Sequence, residues 1–433
     1  MADPKPEEPL LPDSSSDKSS SSSSDDDDEF LNPHLNQAFK TLKTFLIFIG
    51  LHQQTRSSIL LSWSVFLILG VLLPSLIIGF TGCADCKKYQ IVTYEFDTLL
   101  PQACLAAVSL LCISHNLRLH GLRKFLFVDK ECGCVTRFHK EYTDKIQEFF
   151  RLLILRSAPW FLLKLPLEVV RCFYMYDSFW KAVAVMLISV CSWTYLTTLS
   201  MSASLLFNLV CNLQVIHFDQ YGKLLESDSD VLTFVKEHMR LRHHLTTISH
   251  RFRIYLLLEF LLVSASQFLT LFQATEDRGI INAINGGNFA VISIAQVVDI
   301  VICLHAAAKI SHRAQGIASI ASTWHALLTC SDADTSRKLL NGAVKNEASI
   351  QVGSVTPNFS ESDLESLEPV AFSSSAQVSS YHKRQALVLY LQSNPGGVTV
   401  FGWRIDRVMI DTIFFVELSL VTFVLGKTLV FTA

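Results

Sequence analysis

The stretch "DTIFFVELSLVTFVLGKTLVFTA", residues 411–433, closes the sequence and decides how the rest is interpreted. Most of it is apolar, over a length close to the roughly 20 residues that a bilayer-spanning helix needs. It also carries the carboxylate of Glu417 near its middle. Because a charge inside a membrane is costly, such a residue is a functional candidate by default. The stretch therefore predicts a last transmembrane helix at about 408–431, with a carboxylate that needs a partner.

The composition of the whole chain also indicates a membrane protein. Half of the 433 residues are hydrophobic, 30 are Phe and only 17% are charged, and the mean hydropathy is +0.35. A soluble chain of this length would need more charge to cover its surface. We expect membrane lipids as partners and no nucleic acid.

Six further apolar runs precede the last one. They lie at about 57–80, 98–116, 150–173, 179–212, 253–274 and 288–309. The fold class is thus an all-α polytopic membrane protein with seven transmembrane helices. The fourth run is longer than a bilayer needs, so we expect it to tilt or to continue into water.

The distribution of basic residues predicts the orientation. Under a cytoplasmic N-terminus, the inner loops 117–151 and 213–253 hold eight and six Lys and Arg, whereas all the outer segments together hold five. Basic residues accumulate in cytoplasmic loops. The N-terminus is therefore predicted inside and, after seven spans, the C-terminus outside.

The chain divides into five predicted segments. Residues 1–29 are rich in Ser and Asp and are expected to be disordered. Residues 30–54 are amphipathic and predict an interfacial helix, and 57–330 hold six transmembrane helices with cytoplasmic extensions. Residues 331–385 are predicted as a cytoplasmic, largely disordered loop, and 386–433 as a short cytoplasmic helix followed by the seventh span.

Charged residues other than Glu417 also fall inside the predicted spans. These are Arg156, Lys164, Glu168 and Arg171 in the third span and Asp299 in the sixth. Lys164 and Glu168 are four residues apart, which favours a salt bridge within the helix. The alternative is that these side chains line a water-filled cavity.

Small and hydroxyl residues form a stripe along the last span. On a helical wheel, Thr412, Ser419, Thr422 and Gly426 lie within about 80° of one another, Phe415 borders them, and Glu417 points away. Such a stripe is typical of close helix–helix packing. It is also typical of the lining of a narrow path between helices or subunits.

No motif indicates an enzyme. The sequence contains no nucleophile elbow, no phosphate-binding glycine loop and no HExxH motif, so we predict no catalysis, no cofactor and no metal. Cys83 and Cys86 fall in the first outer loop, and Cys172 near the outer end of the third span. An oxidising exterior would permit a disulfide among them.

Taken together, these features resemble the plant gustatory-receptor-like proteins, a plant family of unknown function related in architecture to insect gustatory and odorant receptors. The resemblance extends over about residues 30–433. It is strongest in "ISHRAQGIASIASTWHALL" and "FGWRIDRVMIDTIFFVELSLVTFVLGKT". The insect last-span signature is Thr-Tyr, five apolar residues, then Gln-Phe. Of it this chain retains Thr412, with Ser419-Leu420 in the place of Gln-Phe.

The resemblance implies an assembly and a site. The insect receptors are tetramers in which the seventh spans line a central pore and small ligands bind among the outer halves of the other helices. It implies that Thr412, Phe415, Ser419, Thr422 and Gly426 line a pore in a homo-oligomer, a tetramer if the likeness extends that far.

Two functions remain open at this point. The first is a chemoreceptor-like, small-molecule-responsive cation channel whose ligand is unknown. The alternative is a non-channel membrane protein, either a carrier that uses the charged third span or a signalling scaffold that acts through cytoplasmic segments. The plasma membrane is the expected location, with the vacuolar or another internal membrane as the alternative.

Overall fold

A computed structural model describes residues 33–80, 86–127, 139–175, 178–225, 231–276, 283–346 and 371–432. The predicted tail 1–29 lies outside these residues, and within the ranges some side chains also remain undescribed. The described chain is almost entirely helical. Its elements are α1 (Pro33–Ile49), α2 (Arg56–Val65), a π-helical segment (Phe66–Leu72), α3 (Leu73–Phe80), α4 (Cys86–Phe125), α5 (His139–Met175), α6 (Phe179–Leu225), α7 (Val231–Glu276), α8 (Ala283–Asn346), α9 (Ala371–Ser393), β1 (Thr399–Val400), β2 (Trp403–Arg404) and α10 (Arg407–Thr432).

Five of the helical segments are long and apolar enough to cross a membrane. They are Arg56–Ile78, Leu99–Phe125, Phe179–Leu225, Val231–Leu269 and Val291–Cys330. The predicted third and seventh spans are helical as α5 and α10. Neither qualifies by length and composition among the described residues. The membrane crossing of these two helices, and with it the count of seven, therefore stays a prediction.

The long helices continue well past a bilayer. Helices α6, α7 and α8 have 47, 46 and 64 residues, whereas about 20 residues cross the hydrocarbon core. The extensions expected for the fourth and sixth spans are present in α6 and α8. The segment 213–253, interpreted above as a loop, is instead helical at 213–225 and from Val231 onward. The predicted fifth span is thus only the second half of α7, which contains no Pro or Gly to interrupt it.

The predicted disordered loop 331–385 is helical at both ends. Helix α8 continues to Asn346 and α9 begins at Ala371, two residues after Pro369. The high Ser content suggested a loop, but neither flank contains a proline. The Ala, Leu, Lys and Arg residues of these flanks are good helix formers. Residues 347–370 lie outside the described part.

Helix α6 forms the centre of the bundle. Between Leu199 and Phe218 every residue is buried except Asn208 and Asn212, which are half-buried. A helix that is apolar on all sides is one surrounded by others, and α6 packs against α4, α5, α7 and α8.

An aromatic cluster joins three of the helices. The ring of Phe252 on α7 lies 4.8 Å from the ring of Phe207 on α6 and 5.5 Å from that of Phe125 on α4, measured between centroids. All three side chains are fully buried. Tilted ring pairs at these distances add to the energy of burial, so the cluster fixes α4, α6 and α7 against one another.

Helix α1 packs on α5 through its apolar face. Leu35, Phe39, Leu42 and Leu46 are buried, and Phe45 makes an edge contact with Phe150 at 5.4 Å. The opposite face, which includes Phe48, is exposed. The amphipathic pattern predicted above thus has its apolar side against the protein.

The turn between α1 and α2 is held by side chains. Gly50 adopts a φ of 91°, and its carbonyl accepts hydrogen bonds from Ser62 Oγ at 2.8 Å and Gln53 Nε2 at 3.0 Å. A Cβ at Gly50 would lie 2.4 Å from Ser62 Oγ, so only glycine fits. Beside the turn, burial and the nearby charge of Lys43 lower the pKa of His52.

A short hairpin sets the start of α10. β1 and β2 pair antiparallel, and Phe401 and Gly402 both have positive φ, as a type I′ turn requires. The backbone N–H groups of Val398 and Thr399 each donate a 3.0 Å hydrogen bond, to Ser311 Oγ on α8 and Ser249 Oγ on α7. The chain that enters α10 is therefore attached to two of the long helices.

Candidate functional site

A cavity lies between α3, α4, α5, α6 and α8. Its empty volume, including the open mouth, is about 570 Å³. Ile77, Leu99 and Ile292 are among its apolar walls. Its polar lining consists of Gln102, Lys164, Arg171, Ser189, Ser192 and Trp193. The five helices that form it are far apart in sequence, so only the folded chain creates this site.

The charges of α5 meet at the wall of this cavity. Lys164 Nζ lies 3.3 Å from Glu168 Oε2, and an Arg171 Nη2 group pairs with Glu168 Oε1. The Glu168 side chain is 1% exposed, that of Lys164 6% and that of Arg171 13%. The i,i+4 pair expected from the sequence is therefore formed, and it also lines a cavity. One carboxylate is shared by two cations.

A smaller chamber adjoins this cavity. It has an empty volume of about 320 Å³ and shares Gln102, Trp193 and Ile292 with the first. Gln296 and Asp299 of α8 line it and are both buried. Asp299 Oδ1 makes no hydrogen bond to any described residue. The two cavities therefore share part of a wall, with Lys164 and Arg171 lining the larger one and Asp299 the smaller one.

A buried polar group that the sequence analysis did not single out lies deeper in the bundle. Glu259 of α7 accepts a 3.0 Å hydrogen bond from Ser204 Oγ of α6, and that oxygen is also 3.0 Å from Tyr255 Oη. Cys303 of α8 contacts Glu259 at 3.9 Å. The signal that could have found it is a lone carboxylate within the apolar run "YLLLEFLLV".

Helix α10 has one anchored face and one open face. Glu417 is 1% exposed, and its Oε1 accepts a 2.6 Å hydrogen bond from Ser264 Oγ of α7. Opposite to it, the predicted stripe is exposed on this chain. Its members are Thr412, Phe415, Ser419, Thr422 and Gly426.

The hydroxyl groups of the stripe bond within their own helix. Thr412 Oγ1 donates to the Val408 carbonyl at 2.8 Å and Ser419 Oγ to the Phe415 carbonyl at 2.7 Å. Phe415 is 71% exposed. No described element of this chain covers the face, so it is left to lipid or to a second chain.

The remaining candidates are placed as follows. Arg156 is half-buried on α5 and Cys172 is buried on the same helix. Cys83 and the side chain of Cys86 lie outside the described residues, so the disulfide stays a prediction. Among the described residues no group of three or more His, Cys, Asp and Glu side chains is placed to hold a metal ion.

Comparison with known proteins agrees with this architecture. The sequence model of a family described as "Protein of unknown function (DUF3537)" matches residues 37–416. No curated protein matches the chain. The solved structure of the insect olfactory receptor OR5 from Machilis hrabei is similar with a TM-score of 0.55 and 12% identity, over 90% of this chain and 97% of that one. At that identity the likeness concerns the fold alone. It supports an integral membrane protein of insect-chemoreceptor-like architecture.

Proposed function

The chain belongs to the DUF3537 family of proteins of unknown function, and on that premise we propose that it is a chemoreceptor-like, ligand-gated cation channel. It is related to the plant gustatory-receptor-like proteins and spans the membrane seven times, with its N-terminus in the cytoplasm and its C-terminus outside. Four copies form the channel, and the plasma membrane is its location.

The observation that carries this proposal is the two-sided character of α10. Its one carboxylate inside the apolar run is buried against Ser264 of α7, which fixes the rotation of the helix about its axis. That rotation turns Thr412, Ser419 and Thr422 outward. Around a symmetry axis, four such faces form a narrow hydroxyl-bearing lining, and rings of weak oxygen ligands suit the passage of cations.

The cavity between the other helices is the proposed ligand site. Helix α8 supplies Ile292 to the cavity and also packs against α10. A ligand that fits the cavity better when the pore is open would shift the population toward that state by its differential affinity. Helix α8 is thus the element through which the two sites are coupled.

A carrier that works through the charges of α5 has less support. Lys164 and Arg171 both form ion pairs with Glu168, so these charges stabilise one arrangement of α5 rather than a cargo that moves past it. They are better suited to the wall of a static binding site.

Substitution of the open face of α10 tests the channel. We expect cells that express the chain to carry a cation current, and Ser419→Trp to reduce it by about tenfold or more because a bulky ring at four symmetric positions closes a narrow pore. The measurement is whole-cell current at equal surface expression. Leu187→Trp, at a site on α6 that is 55% exposed, is the matched control and should conduct as before.

Two results would contradict the proposal that the protein is a channel. One is the absence of any current above that of untransfected cells. The other is a current that Ser419→Trp and Leu187→Trp leave equally unchanged.

A further inference from the structure

We propose that the smaller chamber binds a monovalent metal cation, Na⁺ or K⁺, through the side-chain oxygens of Asp299 and Gln296. The site lies within one chain, so the inference depends neither on the pore nor on the number of copies. Two observations lead to it. Buried oxygen atoms at the chamber have no hydrogen-bond partner among the described residues, and a second buried carboxylate lies close by.

Oxygen-bearing side chains line the chamber. Gln296 and Asp299 are three residues apart on α8 and therefore share one face of the helix. Helix α6 contributes Thr197 and Ser200. Carboxylate, amide and hydroxyl oxygens are the ligands that hard cations prefer. The chamber thus offers the donor atoms of a site for such a cation.

Two of these oxygen atoms lack a partner. Asp299 is 3% exposed and Gln296 is 5% exposed. Neither Asp299 Oδ1 nor Gln296 Oε1 accepts a hydrogen bond from any described residue. An ionised carboxylate and an amide oxygen can only accept, and leaving buried polar atoms unsatisfied is unfavourable. A cation that is coordinated by both atoms would satisfy them together.

A second carboxylate lies near Asp299. Cys303 follows Asp299 by one turn of α8, and its Sγ lies 3.9 Å from Glu259 Oε1. Glu259 is 1% exposed, and its Oε2 has no hydrogen-bond partner among the described residues. Like charges repel strongly in a low dielectric. A positive charge at Asp299 would therefore stabilise both carboxylates.

Arg156 does not take the place of this positive charge. It belongs to α5, and its charge acts on Asp299 through space. Its side chain is only half-buried, and it does not bond Asp299 Oδ1, which has no hydrogen-bond partner in the described chain. Arg156 therefore weakens the repulsion but leaves this oxygen atom available for coordination.

The number of carboxylates favours a monovalent cation. Among the described residues that line the chamber, Asp299 is the one carboxylate, whereas Ca²⁺ sites are usually built from several. The chamber has an empty volume of about 320 Å³, including open space. Water molecules can therefore complete the coordination of a cation that binds to one wall.

Thermal unfolding of the purified full-length protein in a non-ionic detergent tests the proposal. NaCl or KCl is exchanged for choline chloride at constant ionic strength, because choline carries the same charge but is too large to be coordinated in this way. The midpoint should rise by about 1–2 °C for each tenfold increase of the metal cation above half-saturation. A rise with either salt supports the proposal, and the comparison identifies the preferred cation.

Asp299→Asn separates cation binding from a purely structural role. This variant should lose the rise of the midpoint with Na⁺ or K⁺. In choline chloride alone it should unfold at or above the midpoint of the parent, because the substitution removes a buried charge that lacks a bonded partner. If Asp299 only held the helices together, the variant would unfold at a lower midpoint in every salt.

Two further variants complete the test. Gln296→Leu retains the carboxylate and removes one oxygen ligand, so it should raise the half-saturating concentration of the cation about tenfold or more. Asp144→Asn, at an exposed position of α5, is the matched control for Asp299→Asn. It should leave the dependence on the cation unchanged.

Three results would overturn the proposal. The first is an equal midpoint in choline chloride, NaCl and KCl, which would leave a proton as the counter-charge of Asp299. The second is an Asp299→Asn variant that retains the full rise. The third is an Asp299→Asn variant that is less stable than the parent in choline chloride.

The unfolding assay requires no conduction. A stabilisation that depends on Asp299 in a protein without any current would retain this inference and contradict the channel. Conversely, a current blocked by Ser419→Trp, with midpoints that do not respond to the metal cation, would retain the channel and contradict the inference.

Discussion

Glu168→Gln is expected to lower the free energy of unfolding by about 3–5 kcal/mol, because it removes the carboxylate that two largely buried cations share. Gln has nearly the shape of Glu, so the loss reports charge rather than volume. The measurement is the unfolding equilibrium of the full-length protein in mixed micelles.

The same helix supplies a control for that substitution. Glu148 pairs with Lys145 at 2.6 Å, but both side chains are about one-third exposed. An exposed pair contributes only about 0–1 kcal/mol, so Glu148→Gln should change stability little. Equal effects of the two variants would mean that Lys164, Glu168 and Arg171 are exposed to solvent. The buried ion pairs described at the cavity wall would then be contradicted.

Phe252→Ala should destabilise the chain by about 3–5 kcal/mol, the usual cost of removing a fully buried aromatic ring. Its ring contacts those of Phe125 and Phe207, so the substitution leaves a void where α4, α6 and α7 meet. The loss should appear as a lower midpoint of unfolding in the same micelles.

Phe268→Ala is the comparison for this prediction. Phe268 lies on the same helix α7 but is 57% exposed, and its removal should cost less than about 0.5 kcal/mol, as for most surface substitutions. A small effect of Phe252→Ala would show that the long helices do not meet as described.

The helical segments and the two opposite faces of α10 could be predicted from the sequence because both depend on local periodicity. A run of apolar residues predicts a helix in a membrane protein whatever surrounds it. The angle between Glu417 and the stripe of Thr412 and Ser419 follows from 100° per residue. The Lys164–Glu168 pair is likewise set by one turn of α5.

Features formed by several helices could not be predicted from the sequence. The cavity combines Gln102 of α4, Lys164 of α5 and Ser192 of α6, and no local pattern states which faces of these helices meet. The carboxylate of Glu259 is visible in its apolar run, but its partners Ser204 and Cys303 lie on two other helices. Its contacts depend on tertiary packing alone.

The helix ends were predicted least well. Hydropathy indicates where a helix leaves the bilayer but not the residue at which the helix ends. The predicted spans 253–274 and 288–309 therefore cover only parts of α7 and α8. Beyond the membrane the composition is polar and resembles that of a loop. Only the absence of helix-breaking residues indicates that the helix continues.

The central claim is that several copies form a pore lined by α10. It is tested most directly by the oligomeric symmetry of the purified full-length protein and by the identity of the helix that faces the symmetry axis. Single-particle electron cryomicroscopy measures both at once. We expect four copies with Thr412, Ser419 and Thr422 of α10 facing the symmetry axis. A monomer, or an oligomer in which that face of α10 contacts lipid, would contradict it.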